Sequence, residues 1–588
     1  MAALLALLNP AVAARAPDAA VMAAVVVAFY GVAGLGAGLV LAIPAVIFRR
    51  AAGRLAERGF GVAAGTGLVL LAAGVLFRDN RAMYLLCIPP PCGAALRSYS
   101  FLLFGGGALA LVALAAWGSR VARGVGKFLP AVLAPALFLA FPLAARTVRP
   151  PAPPAPPLYT RADTGLKVYL VGIDALDPRL VASLAEAGRV PNLARMTAGG
   201  ASGELETLPP GLSPVIWTSV ATGRYPRDHG VADYEYFKIR GVDTPLWVFP
   251  SRTFLTLLTR VKLASLASYS GADRRGPALW NITSGAGVNT AVAGWLLSTP
   301  AEKVAGDMLT DYYDAGYEEE GGAARVAYPA ALAPEYVKYY HRPEGIGREA
   351  AARLLPPGVP PFYGRHFLKA YAAGRTQEDI SLQLLKRDAP TFAASYFAPV
   401  DPLQHLYWGF RPEVALGRPE EVRKWGGVVD RAYEWADAYV GEVLALADAR
   451  TVVVVVSDHG VKTAGPARRW YYRLWQRREV TGIHDVAPPP SGFVALAGGP
   501  VRKGVALRGA SVMDVAPNVL YLLGLPVADD MPGRIWWEAY EPAFAAKFPR
   551  RRIPTYAGLP VERPGAPAAP AGVEDERLKA LKALGYVK

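Results

Sequence analysis

Residues 451–459 read TVVVVVSDH, a run of five valines followed, after one serine, by an aspartate and a histidine. Such a short run of β-branched apolar residues is typical of a strand buried on both faces of a parallel sheet. Two other runs have the same form, because 167–173 ends at Asp174 and 391–398 ends just before Asp401. The three runs together predict an α/β fold with a mainly parallel sheet flanked by helices.

The polar residues at the ends of these runs predict a metal site. The carboxyl ends of parallel strands meet at one edge of the sheet, so three such strands would bring three carboxylates together. The chain has only 6 histidines in 588 residues, and half of them fall within or after this pattern. Carboxylate oxygens and imidazole nitrogens suit Zn²⁺, although such sites also accept Mn²⁺ or Mg²⁺. The predicted ligand set is Asp174, Asp401, His405, Asp458, His459 and His484.

Five segments resemble the successive motifs of one enzyme family. In chain order they are VYLVGIDALDP, LSPVIWTSVATGRYPRDHGV, VDPLQH, VVVVVSDHGV and GIHDVAPPPSGFVALAGGPV. They are similar to the metal and nucleophile motifs of the alkaline phosphatase superfamily, above all those of type I phosphodiesterases/nucleotide pyrophosphatases. The resemblance extends from about residue 166 to about residue 535.

The resemblance implies a doubly wound, alkaline-phosphatase-like fold with two divalent metal ions at the sheet edge. Two such ions clamp the attacking and leaving oxygens of an in-line displacement. By itself, an aspartate after a strand is as well explained as a cap or turn residue. One ion would be held by Asp401, His405 and His484. The other would be held by Asp174, Asp458, His459 and the oxygen of Ser213.

Ser213 occupies the position of the family's catalytic threonine or serine. It precedes Pro214 and an apolar run, so it also has the pattern of a helix N-cap with proline at the first helical position. The two interpretations are compatible, because a helix amino terminus favours an incoming phosphate. Thr218 and Ser219 are reserve nucleophiles that fit better as residues facing helix neighbours.

The remaining histidines carry no predicted metal role. His229, in PRDHGV, has no metal function in the family pattern and is interpreted as a turn residue. His341 and His366 lie in a region without motifs, where a surface or packing role is expected.

One position departs from the family pattern. Nucleotide pyrophosphatases place an asparagine that donates to a phosphoryl oxygen where this chain has Tyr234. A phenol donates a single hydrogen bond and has a different reach, which argues against nucleotide substrates. Lys238 and Arg240 follow closely and are further candidates for binding phosphate oxygens, with exposed surface charge as the alternative.

The first part of the chain is apolar enough to predict membrane helices. Hydrophobic residues make up 53% of the chain, and the mean hydropathy is +0.22. Each of four uncharged or nearly uncharged stretches is close to the roughly 20 residues that cross a bilayer. Buried helices of a soluble bundle are the alternative. The stretches are 18–49, 59–77, 98–119 and 128–145.

Four spans would put both chain ends on the same side of the cell membrane. Arginine-rich loops after the first and third spans predict that those loops are cytoplasmic and that the large carboxyl-terminal part is extracytoplasmic. The only two cysteines, Cys87 and Cys92 in CIPPPC, lie in the second loop. They are either a disulfide in an exported loop or two unrelated thiols.

The net charge of +15 belongs mostly to this region. Residues 1–150 hold 13 basic and 3 acidic side chains, so only five of the fifteen surplus charges remain for the rest of the chain. A nucleic-acid-binding surface would need a basic stripe on the catalytic part, and no nucleic-acid partner is predicted.

These features predict four parts of the chain. A membrane domain spans 1–146, and a proline-rich linker spans 147–165. The alkaline-phosphatase-like catalytic domain spans 166–545, with 232–390 as an insertion or cap. A tail, 546–588, ends in an amphipathic helix.

The predicted function is a membrane-anchored, extracytoplasmic, metal-dependent phosphodiesterase or phosphatase that works through a phosphoseryl intermediate. The alternative is a transferase that moves a phosphate-linked headgroup onto a lipid or glycan, since such enzymes also have membrane helices ahead of a similar domain. A non-enzymatic membrane scaffold is the third possible function. A scaffold would be recognised by the loss of metal ligands from the sequence. The Cys/Ser-x-Pro-x-Arg pattern of sulfatases is absent, because Pro214 directly follows Ser213.

Overall fold

The computed structural model describes residues 7–15, 17–22, 24–25, 71, 74–115, 155, 157–244, 246, 258–311, 322–346, 361–476 and 480–564. The chain divides into two units by its internal contacts, Met1–Pro151 with Glu235–Ala267, and Ala152–Tyr234 with Ser268–Lys588. The second unit contains all seven predicted metal ligands, including the serine.

The strands follow the apolar runs of the sequence. Those of the described residues are β1 Lys167–Ile173, β2 Ala201–Glu206, β3 Glu235–Ile239, β4 Ala264–Ser268, β5 Thr290–Ala293, β6 Gly306–Leu309, β7 Ala327–Tyr328, β8 Phe392–Phe397, β9 Thr451–Val456, β10 Lys462–Thr463, β11 Gly482–Ile483, β12 Gly492–Ala497, β13 Val505–Ser511, β14 Val527–Ala528 and β15 Arg552–Ile553.

A sheet of nine strands forms the centre of the second unit, in the order β13-β2-β12-β9-β1-β8-β5-β6-β7. Strands β6, β5, β8, β1 and β9 run parallel to one another. Strand β12 is antiparallel to both β9 and β2, and β7 is antiparallel to β6. The prediction of an α/β fold with a large, mainly parallel central sheet is therefore confirmed.

The helices of this unit often begin at proline, which lacks an N–H and has the helical φ already set. They are Pro178–Glu186, Pro191–Gly199, Ser213–Thr222, Pro226–His229, Leu279–Gly285, Gly322–Val326, Leu332–Tyr336, Pro361–Asp388, Val400–Tyr407, Pro419–Trp425, Val428–Ala445, Pro466–Gln476, Val515–Leu522 and Pro542–Lys547.

The core is built on the central strands. Every residue of β8 and β9 is buried, as expected for parallel strands covered on both faces. The apolar face of helix Val428–Ala445, which includes Tyr433 and Val440, packs into the same buried cluster as Val171 and Val455. The cluster holds β1, β8 and β9 side by side, and these are the three strands whose ends carry the predicted ligands.

The range 232–390 differs from its predicted role as an insertion or cap. Strands β5, β6 and β7 lie within that range, and all three belong to the central sheet. Strand β5 pairs in parallel with β8 from Thr290 opposite Phe392 onward. Since β5 and β6 have only four residues each, their apolar runs are too short to stand out in the sequence.

In the first unit, strands β3 and β4 form a two-stranded sheet. The described helices there include Pro10–Ala14 and Pro90–Ala115. Phe237 and Ile239 of β3 are buried in a cluster with Val12 and Met22. No disulfide joins Cys87 and Cys92 in the structure, which agrees with the second of the two alternatives for this pair.

The predicted transmembrane region is not supported by the helices that the structure describes. None of these helices combines the length and the apolar character that a bilayer span requires. The predicted spans 18–49, 59–77 and 128–145 lie mostly or wholly outside the described residues, whereas much of 98–119 falls within the helix Pro90–Ala115.

The described end of the predicted linker is bound to the second unit. Tyr159 Oη donates to the Ile282 carbonyl at 2.7 Å, and Thr164 Oγ1 donates to the Leu522 carbonyl at 2.8 Å. The described part of the predicted linker is therefore packed against the second unit rather than extended away from it. The helix predicted at the end of the tail lies outside the described residues.

A buried ion-pair network joins the segment after β15 to the rest of the unit. Glu302 is fully buried, and both of its oxygens accept from Arg274 Nη2 at 2.8 Å. Arg563 Nη2 lies 2.9 Å from Glu302 Oε1, and Trp280 Nε1 donates at 2.7 Å to Oε2. Burial acts to raise the pKa of Glu302, but the charges of Arg274 and Arg563 outweigh it and hold that pKa below its usual value.

Replacing this carboxylate should make the protein less stable at neutral pH. A depressed pKa in the folded state contributes stability that is present above the unfolded value of about 4.3 and is lost as the pH falls through the folded value. We expect Glu302→Gln to lower the unfolding free energy at pH 7 by about 3 kcal/mol, because two guanidinium groups lose their counter-charge.

Chemical denaturation of both proteins at pH 7 and at pH 3 tests this expectation, since Glu302→Gln should lose less stability than the wild type on acidification. The matched control is Glu420→Gln, which removes an exposed pair with Lys424 and should cost less than about 1 kcal/mol. Equal acid sensitivity of wild type and Glu302→Gln would contradict the assignment.

Candidate active site

Three adjacent strands bring the predicted ligands to one edge of the sheet. Strand β1 lies between β8 and β9, and Ile173 is aligned with Phe397, the last residue of β8. Asp174 follows β1 directly, and Asp458 stands two residues after the end of β9. Asp401 lies in the first turn of the helix Val400–Tyr407 that follows β8. The expectation that the three strands converge their carboxylates is confirmed.

Asp401, His405 and His484 form the first candidate metal group. The two imidazole Nε2 atoms are 3.1 Å apart, and they lie 3.4 and 3.6 Å from Asp401 Oδ1. Metal–ligand bonds of the usual length in a tetrahedral arrangement place ligand atoms about 3.3–3.6 Å apart. The three side chains therefore have the spacing of metal ligands.

Asp174, Asp458, His459 and Ser213 form the second group that the sequence predicts. His459 Nε2 lies 3.5 Å from Asp174 Oδ1 and 3.2 Å from Asp458 Oδ2. Ser213 Oγ is 3.2 Å from His459 Nε2 and 3.4 Å from Asp174 Oδ1. Ligand atoms of Asp401, Asp174 and His459 also lie within 4.8 Å of one another, so the two groups are neighbours.

Backbone carbonyls fix the orientation of all three imidazoles. Nδ1 of His405 contacts the Gly482 carbonyl at 2.7 Å, and Nδ1 of His459 contacts the Gly460 carbonyl at 3.0 Å. Nδ1 of His484 makes the same contact with the Gly211 carbonyl. A carbonyl only accepts hydrogen bonds, so each Nδ1 must carry the proton. Each Nε2 then presents a lone pair to the site.

Gly211 has a backbone conformation that allows this contact with His484. Its φ is +77°, and a Cβ at this position would lie 2.5 Å from the His484 carbonyl oxygen. Any other residue would strain the turn or push His484 away.

Burial sets the protonation of the site. It lowers the pKa of both His459 and His484 to about 3, so both rings are neutral at pH 7. Burial also raises the pKa of Asp458 to about 7, and burial together with the charge of Asp458 raises that of Asp174. The carboxylates destabilise one another when ionised, and a cation between them would remove this cost.

The donor set therefore fits divalent cations. Asp458 Oδ2 is buried without a hydrogen-bond donor among the described residues, and His459 Nε2, 3.2 Å away, offers it a lone pair. Two lone pairs also face each other between His405 and His484. Buried acceptors facing acceptors are unfavourable unless a cation lies between them.

Ser213 faces the metal groups from the start of a helix. The helix Ser213–Thr222 has Leu212 as its N-cap and no capping side-chain hydrogen bond. The prediction that Ser213 is the N-cap is therefore wrong by one residue, because Pro214 occupies the second helical position rather than the first. Its hydroxyl is available to Asp174 and His459 instead of to the helix backbone.

Close packing of this helix against β1 positions the serine. The Trp217 ring lies over Gly172, where a Cβ would be 2.7 Å from the ring. Trp217 is fully buried and makes edge contacts with Trp295 and Tyr396, each with ring centroids 5.3 Å apart. A side chain at position 172 would lift the helix and move Ser213 away from the carboxylates.

Tyr234 lies within the site, as predicted for a substrate-binding residue. Its buried phenol has a pKa well above the usual value, because of burial and of the charges of Asp174 and Asp401, while a hydrogen bond with Ser213 acts in the opposite direction. The group is a hydrogen-bond donor at neutral pH. Lys238 and Arg240 are exposed and belong to the first unit, so their role stays a prediction from sequence.

The two reserve nucleophiles, Thr218 and Ser219, bond to the backbone of their own helix. Thr218 Oγ1 donates to the Pro214 carbonyl at 2.6 Å, and Ser219 Oγ donates to the Val215 carbonyl at 3.0 Å, so both face helix neighbours.

His229 ends a four-residue helix, and its Nε2 contacts Ser219 Oγ at 2.9 Å. His341 Nε2 contacts Asp379 Oδ2 at 2.6 Å. His366 lies on the helix Pro361–Asp388, half-buried.

Two residues that support the metal ligands were not predicted from the sequence. Tyr396 donates a short hydrogen bond from its hydroxyl to Asp174 Oδ2. Ala175 has a φ of +63°, which turns its N–H toward Asp458 Oδ1 at 3.2 Å. Such strain in a non-glycine residue is common beside active sites. Tyr396 lies inside an apolar strand and has the pattern of a core residue, so only the pairing of β8 with β1 could reveal it.

Removing the Tyr396 hydroxyl should lower the metal affinity of the second group. A hydrogen bond to a ligand carboxylate holds that ligand in place, and its loss costs about 10–100-fold in metal affinity. We expect Tyr396→Phe to lose metal at correspondingly lower chelator concentrations, with the fold intact because the contact with Trp217 remains.

The control is Tyr439→Phe, which removes another buried hydroxyl, 2.8 Å from Ser395 Oγ, away from the metal groups. Chelator titration followed by metal analysis measures the effect. Equal metal retention by the two variants would contradict the role given to Tyr396.

The central sheet and the paired Asp/His groups at its edge define an alkaline-phosphatase-like α/β protein. Residues 168–477, more than half of the chain, match the family Type I phosphodiesterase / nucleotide pyrophosphatase. The chain belongs to this family, and the resemblance seen in its motifs is confirmed. Family membership also supports the prediction of a phosphoester hydrolase.

Individual relatives are distant. The chain is 35% identical over 104 residues to a 2,3-bisphosphoglycerate-independent phosphoglycerate mutase of Ruegeria sp. (strain TM1040), a match that spans 18% of each protein. Phosphonoacetate hydrolase from Sinorhizobium meliloti 1021 is 19% identical, with a TM-score of 0.31 over 56% of this chain and 64% of that one. Murine ectonucleotide pyrophosphatase/phosphodiesterase 5 is 10% identical, with a TM-score of 0.37 over 63% and 97%.

Proposed function

We propose that this protein is a metal-dependent phosphoric ester hydrolase, a phosphodiesterase or phosphatase, that uses Ser213 as its nucleophile. The observation that carries the proposal is the position of Ser213 Oγ, 3.2 Å from His459 Nε2 and 3.4 Å from Asp174 Oδ1. A serine with only a structural role would satisfy its hydroxyl on the backbone, as Ser219 does. Membership of the phosphodiesterase family gives independent support.

In the first step the oxygen of Ser213 bonds to phosphorus as the bond from phosphorus to the leaving oxygen breaks. The proton of the serine hydroxyl passes to the leaving oxygen, which departs as an alcohol, and the phosphate is then carried on the serine. In the second step the oxygen of water bonds to phosphorus, the bond from the serine oxygen to phosphorus breaks, and a proton of the water returns to the serine.

Protein groups around the serine have defined tasks in these steps. Asp174 Oδ1 accepts from the Ser213 hydroxyl and orients it. The helix Ser213–Thr222 directs its amino-terminal end toward the phosphate, which favours negative charge. Tyr234, protonated at neutral pH, donates to a phosphoryl oxygen in the place of the family's asparagine.

The two Asp/His groups would hold two divalent cations, for which Zn²⁺ fits the nitrogen-containing donor set and Mn²⁺ or Mg²⁺ are alternatives. Such ions supply Lewis acidity that offsets charge on the transferring phosphoryl group. His405, His459 and His484 are already oriented for this task by their Nδ1 contacts.

We further propose that residues 1–146 anchor the protein in the cell membrane and that the catalytic part is extracytoplasmic. The support is the apolar stretches and the arginine-rich loops of the sequence. A reporter that is active in only one compartment, fused after Lys588, tests the orientation. Activity of a cytoplasmic reporter alone would overturn it.

Hydrolysis assays on the purified full chain test the activity. A chromogenic phosphate monoester and a chromogenic diester should distinguish phosphatase from phosphodiesterase, and Tyr234→Asn should shift the preference toward nucleotide diesters if Tyr234 excludes them. Release of the leaving alcohol that depends on an added lipid or glycan alcohol, with the phosphate group recovered on that acceptor, would instead identify a transferase. No turnover of either ester by the metal-loaded protein would refute the proposal.

A further inference from the structure

An exposed helix stands between two of the metal ligands. After His459 the chain forms β10, which pairs antiparallel with β11, and His484 follows directly. The helix Pro466–Gln476 lies in the connection between these two strands. The hairpin fixes both ends of the connection, so the helix projects from the part of the chain that carries the active-site histidines.

One face of this helix is packed onto the protein. Tyr472 is buried in a small cluster with Ala464, Val480 and Ile483. Arg468, one turn earlier on the same face, pairs with Asp485, the residue next to His484. The inner face therefore holds the helix in a fixed orientation relative to the first metal group.

The opposite face is apolar and points to solvent. Trp470 and Leu474 are 64% and 55% exposed, the largest such values among the described large hydrophobic residues of the second unit apart from Leu158. Ala467 is also exposed, and the spacing of i, i+3 and i+7 places all three on one stripe. An ordinary surface helix buries its apolar stripe, whereas this helix presents a second stripe outward.

Basic side chains flank the exposed stripe. The helix contains no acidic residue, and two of its arginines, the half-buried Arg469 and the exposed Arg473, lie outside the inner face. Arg473 is exposed beside Leu474, and Lys462, at the base of the hairpin, is exposed as well. Tryptophan and leucine on one stripe with arginines at its border is the pattern of a helix that lies in the interface of an anionic membrane.

We propose that the helix Pro466–Gln476 docks on the surface of a bilayer that contains anionic lipids. The charge of the helix is complementary to that surface, and its tryptophan and leucine match the depth of the headgroup region. Docking would hold the mouth of the metal site against the membrane. The inference rests on the proposed function and narrows its substrate to a phosphate ester presented at a membrane surface, as in a lipid headgroup.

A fluorescent probe on this face tests the docking in the full chain. With Cys87 and Cys92 replaced by serine, Leu474→Cys provides a single thiol for an environment-sensitive dye. The labelled protein is combined with lipid nanodiscs made of phosphatidylcholine alone or with phosphatidylglycerol added. We expect a blue shift of the dye emission that is larger with phosphatidylglycerol.

Matched variants separate this helix from any other membrane contact. The control site is Trp537→Cys, which replaces another exposed tryptophan of the same unit, 46% exposed, and its dye should not shift. Arg469→Glu and Arg473→Glu should each weaken the docking equilibrium at position 474 by roughly fivefold. Equal shifts at positions 474 and 537, or no shift at 474, would overturn the proposal.

Hydrolysis assays distinguish a failure of membrane docking from a failure of the proposed function. Trp470→Ala should leave hydrolysis of a water-soluble ester within twofold of the wild type and should lower hydrolysis of a bilayer-presented ester. A protein that docks but hydrolyses neither ester would refute the function and leave the surface assignment standing. A dye shift that grows with protein concentration in the absence of lipid would identify a second copy of the chain as the occupant and overturn the membrane proposal.

Discussion

Ser213→Ala is expected to lower turnover by roughly a thousandfold or more, because the phosphoryl group loses the atom that attacks it. The hydroxyl makes no capping bond, so the unfolding free energy should change by less than about 1 kcal/mol. Six protein ligands remain in the two metal groups, and the metal content should therefore stay close to that of the wild type. Turnover, chemical denaturation and metal analysis on the same sample measure the three effects.

Two comparisons sharpen this experiment. Ser213→Thr keeps a hydroxyl and should retain a measurable fraction of the activity. Ser219→Ala, in the same helix, should affect stability rather than turnover, because the Ser219 hydroxyl bonds to the Val215 carbonyl and contacts His229. It should lower stability by about 1 kcal/mol and leave turnover nearly unchanged. Normal turnover by Ser213→Ala would exclude the covalent mechanism, whereas a phosphoseryl peptide trapped in acid would support it.

The second large effect concerns the two metal groups, which should lose their ions separately. His484→Ala removes one of three ligands of the first group, and Asp458→Ala removes a carboxylate of the second. Each variant should retain about one ion fewer than the wild type and turn over roughly a hundredfold more slowly or worse, since transition-state charge loses a stabilising cation.

A histidine outside the site provides the control for this prediction. His341→Ala removes an imidazole that contacts Asp379 and should change neither metal content nor turnover. Treatment of the wild type with a chelator should abolish activity, and restoring a divalent ion should recover it. Full activity of a metal-free sample would contradict the two-metal mechanism.

Three of the ligands could be predicted because they follow strong apolar strand signals. Asp174 stands directly after β1, Asp458 and His459 stand two and three residues after β9, and the alternation of strand and helix places these ends at one edge. The same logic failed where the strands were short. β5 and β6, with four residues each, lie in a range predicted to be an insertion, and only their pairing beside β8 shows that they belong to the sheet.

Local signals also left the supporting contacts undetermined. The pair Ser213-Pro214 fits two helix starts that differ by one residue, and the structure begins the helix at Ser213 with Leu212 as its N-cap. The hydrogen bond from Tyr396 to Asp174 depends on the pairing of β8 with β1, which single-sequence patterns do not specify.

The separation of the ligands along the chain has a consequence for folding. His484 stands 310 residues after Asp174, and the first metal group needs β8 and the β10–β11 hairpin in place together. Contacts of such long range form late and slowly, so a partly folded chain cannot yet offer the complete site to an ion. An ion that binds only the finished fold stabilises it by mass action, and the apparent stability should rise with the free metal concentration.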